Sequence, residues 1–206
     1  MFETNHLINT LEIAILYSRG DHMKKMVLYG YILLLSYTLY HLLFNSQNGS
    51  FINDLLQNKA DPTLFMVFNL LGLFPLAFIL FGLKYLNMNK FTWGFLGLGF
   101  MLGGFALAVP FIGGELKPKA VSKKVNIIAL IGLIVSILVV GYGLILGDFS
   151  QYYDAFITDS FVHIMTIDWI FLYSLSVFLS YKVYKKPYIA FIPVIGFYYL
   201  IFQDID

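Results

Sequence analysis

Six long apolar runs, separated by short polar joints, set the pattern of this chain. They fall near residues 27–44, 64–83, 91–112, 125–146, 161–179 and 188–202. The pattern predicts an all-α fold, a polytopic transmembrane helix bundle of six spans with no soluble domain. A helix rises about 1.5 Å per residue and the hydrocarbon core is about 30 Å thick, so a crossing needs about 20 residues. The fourth run has 22, of which 15 are Ile, Leu or Val, and is the least ambiguous. The sixth has 15 and contains Pro193. It either spans with local thinning or lies re-entrant or interfacial.

The joints carry helix signals of their own. Asp61 is placed as the N-cap of the second run, with Pro62 at its first helical position. Pro110 and Gly113-Gly114 close the third. FINDLLQ in joint 45–63 and GDFSQYYDAFITDS at 147–160 read as short amphipathic helices on the membrane surface. Lys24 and Lys25 before the first run resemble a signal peptide, but no small-residue cleavage site follows, which predicts an uncleaved anchor. No internal repeat is visible, which counts against an inverted-repeat transporter.

With six crossings, joints 45–63, 113–124 and 181–187 share one side and hold eight lysines. The chain start, joint 84–90, joint 147–160 and the C-terminus share the other. The summed count places 113–124 and 181–187 in the cytoplasm, whereas the pair Lys24 and Lys25 argues the reverse.

Composition narrows the chemistry. The 206 residues are 59% hydrophobic and 12% charged, outside the soluble globular range. The absence of cysteine excludes disulfides, thiolate metal sites and cysteine nucleophiles. Thirteen basic against twelve acidic residues leave no footprint for nucleic acid. Arg19 is the only arginine, and the lack of others counts against a phosphoryl-transfer site. The Arg19-Gly20 pair just upstream of Met23 is what a translated ribosome-binding site looks like. That makes 1–22 a doubtful leader and 23–206 the single transmembrane domain, the rival being a short amphipathic leader.

Within the runs, the segment FVHIMTIDWIF stands out. Asp168 is the only acid inside an apolar run, and a carboxylate at a helix centre costs about 2.5–3.5 kcal/mol. It must pair, accept hydrogen bonds or take a proton, with Tyr142 and Lys84 as expected partners. His163 lies about 140° from Asp168 around the helix, which excludes a His–Asp relay within it. Asn69, near Pro75, is expected in an interhelical hydrogen bond and, with six crossings, at a different depth from Asp168. Asp168, His163, Thr166, Tyr142 and Asn69 form the candidate intramembrane polar site. Gly99 with Gly103, and Gly143 with Gly147, present small-residue faces for close packing. The four histidines lack metal-ligand spacing, and no cofactor is expected.

Three segments, ADPTLFMVFNLLGLFP, TWGFLGLGFMLGGFALAVP and GYGLILGDFSQYYDAFITDSFVHIMTIDWIF, resemble a family of small polytopic membrane proteins of bacteria, cyanobacteria and plant plastids. The resemblance runs from about residue 26 to 202. That family has no established activity, so the resemblance implies no catalytic residues. The expected function is that of a non-enzymatic accessory or assembly factor in a bacterial cell membrane, with the bilayer and other membrane proteins as partners. A small transporter or channel-like protein using Asp168 is the alternative. An intramembrane enzyme ranks third, because no nucleophile–base pair is visible.

Overall fold

The computed structural model describes residues 24–47 and 49–203, so the question of a start at Met23 lies outside the described residues. Those residues form helices and no strands. Four helices are long and apolar enough to cross a membrane: α1 (Lys24–Phe44), α3 (Pro62–Tyr85), α7 (Lys123–Leu146) and α9 (Ser160–Val183). Between them lie α2 (Phe51–Leu56), α4 (Lys90–Leu102), α5 (Gly104–Leu107), α6 (Val109–Gly113) and α8 (Phe149–Thr158). A 3₁₀ turn at Pro187–Phe191 precedes α10 (Ile195–Gln203).

Local chemistry sets the helix starts. Asp61 caps α3 by accepting the Thr63 N–H at 2.7 Å, and its other oxygen accepts the Asp148 N–H at 3.0 Å. Asp159 caps α9 through Phe161 N–H and Val162 N–H, and it reaches across to Phe51 N–H at 3.1 Å. These two carboxylates tie joint 45–61 to the α7–α8 and α8–α9 joints, so all three lie at one end of the bundle, here called apical. The two short helices expected in these joints are present as α2 and α8.

The third apolar run does not form one helix. At Gly103 the backbone takes φ +54°, ψ −132°, a conformation that side-chain-bearing residues rarely adopt. A Cβ there would collide with the Asp168 carboxylate. The Gly104 N–H, which would continue the helix by bonding Phe100, goes to Asp168 instead. Past the break, α5 and α6 fold back along α4, and Leu107 fills the notch left by Gly99. The strand-like strap after α6 then returns to where α4 began. Lys117 N–H bonds Tyr85 C=O, and Lys119 N–H bonds Lys84 C=O, both at 2.8 Å. Joints 86–89 and 114–122 therefore lie at the same end, the basal one, whereas six crossings required them at opposite ends.

The sixth run repeats the manoeuvre. It descends from Lys186 to Phe191, whose carbonyl meets the Tyr173 hydroxyl at 2.9 Å, deep along α9. Pro193 has no N–H to donate, and Val194 turns with φ +60° under a tight Ile195 N–H to Pro193 C=O bond of 2.6 Å. Helix α10 then climbs back until the Ile201 carbonyl meets Lys84 Nζ at 2.6 Å, at the basal end.

Both hairpins pack on α3, where Phe78 and Phe81 each touch Phe111 of one and Phe197 of the other. Gly143 and Gly147 serve close packing as expected, since Cβ atoms there would strike Met66 and Thr63 of α3.

Candidate functional site

The bundle dictates what Asp168 can reach. It sits eight residues into α9 from the apical end, about 12 Å deep. Its residue is 3% exposed, and Oδ1 accepts the Gly104 N–H at 2.8 Å. Neither expected partner is there. Lys84 lies in the last turn of α3 at the basal end, and its ammonium bonds Ile201 C=O. Tyr142 is 46% exposed and packs edge-on against the Phe65 ring. The partner is a backbone N–H released by the broken helix.

A second side chain serves the same break. Tyr31 of α1 donates its hydroxyl to Phe105 C=O at 3.0 Å. An interrupted helix exposes backbone groups that water cannot satisfy inside a bilayer. Asp168 takes one donor and Tyr31 supplies one acceptor's need. Phe171, one turn beyond Asp168, packs against both Gly104 and Gly30, which closes α1, α5 and α9 together.

Asn69 and Asp168 turn out to lie at similar depth, because α3 and α9 both start apically. They still do not pair. Asn69 Nδ2 bonds Phe65 C=O of its own helix at 2.7 Å, so the expected interhelical bond is not formed.

His163 and Thr166 belong to a different cluster near the apical end. His163 Nδ1 lies 2.9 Å from Phe156 C=O, and Nε2 lies 2.7 Å from the Tyr37 hydroxyl. A carbonyl only accepts, so in the neutral ring the proton sits on Nδ1 and Tyr37 donates to Nε2. The ring is sandwiched between His41, at 4.2 Å and 8° between planes, and Phe156, at 4.3 Å and 16°. His41 Nε2 in turn meets Ser160 Oγ at 3.1 Å, and Ser160 Oγ accepts the Gln47 N–H. Thr166 gives its only hydroxyl proton to Val162 C=O at 2.7 Å, so the Tyr152 hydroxyl donates to Thr166 at 2.6 Å. Burial pushes the Tyr152 phenol above its ordinary value.

The five sequence candidates thus split three ways. His163 and Thr166 join the α8–α9 contact, Asp168 holds the hairpin, and Tyr142 and Asn69 stand apart. Tyr31, Tyr37, His41 and Ser160 were not singled out as partners. Four tyrosines in the first run were the only signal, and nothing in the sequence sets the register of α1 against α9. Among the described residues, no group of three or more His, Asp or Glu side chains could hold a metal ion. Three open cavities of about 470–560 Å³ are present, and Asp168 lines none of these three.

The class these features define is an all-helical chain with four membrane-length apolar helices and two turned-back hairpins, compatible with a multi-pass membrane protein. Comparison with protein-family models, with curated proteins and with solved structures gives no match.

Proposed function

We propose that this chain is a non-enzymatic, multi-pass protein of a bacterial cell membrane, acting as an accessory or assembly factor. The observation that carries the reading is the use made of Asp168. The only acid in an apolar run is committed to a backbone N–H at a helix break, which is a scaffolding task. His163 supports the same view, since both ring nitrogens are engaged and proton abstraction would break an existing bond. Four of the six apolar runs cross the bilayer in this reading and two turn back inside it.

The alternative, a small transporter or channel-like protein, gains from one feature. Broken helices that turn back at mid-membrane depth are how many transporters build ion sites. Proteoliposomes loaded with a pH-sensitive dye separate the two. We expect no proton flux that depends on Asp168. A flux present in the wild type and lost in a folded Asp168→Asn variant would overturn the accessory reading in favour of transport.

A further inference from the structure

The basal end carries an unusual charge balance. Eleven of the twelve lysines, all but Lys59, lie at or beside it, and its only acid among the described residues is Glu115. That acid is already engaged, 2.7 Å from Lys117, and the Lys117 ammonium, with Lys24 adding to it, holds the Glu115 carboxyl below its usual range.

Part of this surface is a built pocket. The strap after α6 is pinned across the end of α3 by the Lys117 and Lys119 backbone bonds, and Lys119 Nζ donates to Leu86 C=O at 2.8 Å. Between strap, α3, the first turn of α7 and the last turn of α9 lies a cavity of about 480 Å³. Lys84, Lys119 and Lys182 line it together with Leu116, Val121 and Asn126. An ammonium has three N–H donors, and the bond to Leu86 uses one of those on Lys119. Lys182 rests 5.5 Å over the Phe178 ring. Asn126 Oδ1 is buried without a hydrogen-bond partner among the described residues.

We propose that this pocket binds the phosphodiester headgroup of an anionic phospholipid, with Lys119 and Lys182 as the contacting cations. A lipid fits better than a free anion because the pocket opens onto an apolar strip. Leu130 and Ile137, four and eleven residues beyond Asn126 on the same face of α7, are 36% and 50% exposed and give acyl chains a track. The proposal rests on the membrane reading but not on which side the basal end faces, since detergent-solubilised protein has no sides.

The test is lipid-dependent thermal stability of the full chain in neutral detergent. Phosphatidylglycerol is expected to raise the melting temperature at lower concentration than phosphatidylcholine, and inorganic phosphate is expected to have no effect. Each lysine near an anionic membrane contributes about fivefold in affinity. Lys119→Gln with Lys182→Gln should therefore erase a preference of about 25-fold. Lys182→Gln alone, which removes no hydrogen bond of the fold, should erase about fivefold of it and covers the case where the double variant does not fold. Lys123→Gln with Lys124→Gln, outside the pocket, should leave the preference intact. Equal stabilisation by both lipids overturns the proposal, and so does stabilisation by inorganic phosphate matching that of phosphatidylglycerol. Equal loss in the two lysine pairs also overturns it, because the effect would then be diffuse charge.

Discussion

Asp168 and Gly103 define each other. The carboxylate fits because Gly103 has no side chain, and the glycine can turn because the carboxylate receives the next N–H. Asn in place of Asp168 keeps an acceptor of nearly the same shape, so Asp168→Asn should melt close to wild type. Asp168→Ala should melt lower, by about 1–3 kcal/mol for the buried N–H left unpaired. If both variants melt like wild type, the scaffolding role is lost. Gly103→Ala meets both a positive φ and the carboxylate itself, and should cost more than about 1 kcal/mol in the same melts. Asp168 was legible in the sequence because a lone acid in an apolar run is expensive. Its partner was not, since a backbone N–H freed by a break belongs to no inventory of side chains. The expectation of Tyr142 or Lys84 came from searching only among side chains.

Elements were legible where length and apolarity suffice, as for α1, α3, α7 and α9, and at the Asp61 cap of α3. Runs three and six misled because hydropathy does not distinguish a crossing from a hairpin. Gly94, Gly97, Gly99 and Gly103 look alike in sequence, yet only Gly103 takes a positive φ. The second hairpin is held by Tyr198. Its hydroxyl donates to Leu73 C=O at 2.7 Å, a carbonyl in the interior of α3. That carbonyl lies beside Pro75, whose missing N–H loosens the turn. The Tyr198 ring occupies the notch at Gly132 of α7, where a Cβ would overlap it. Tyr198→Phe should therefore cost about 0.6–2 kcal/mol in a detergent melt. Gly132→Ala should cost more, because the ring itself must move and α10 loses its seat between α3 and α7. A melt unchanged by Gly132→Ala would place Tyr198 elsewhere.

At the scale of the whole molecule, the two hairpins settle a conflict that six crossings created. With every run crossing, lysines divide eight to five when Arg19 is counted, and the first-helix pair opposes the larger group. Once runs three and six turn back, Lys24, Lys25, Lys84 and Lys90 join the larger group at the basal end, and only Lys59 remains apical. The acids separate the other way, with Asp54, Asp61, Asp148, Asp154 and Asp159 all apical. Lysine excess marks the cytoplasmic side, so the basal end is expected inside and α8 outside. The chain has no cysteine, which makes single-cysteine labelling in intact cells free of background. Tyr153→Cys, 62% exposed on α8, should react with an impermeant thiol reagent. Asn87→Cys and Lys119→Cys should both stay unlabelled until the cells are permeabilised. The Asn87 and Lys119 pair is the decisive one. Six crossings put these positions on opposite sides of the membrane, whereas the hairpin puts them on one side whatever the orientation. Labelling of one without the other in intact cells would restore the third run as a full span and undo the lysine count built on its return.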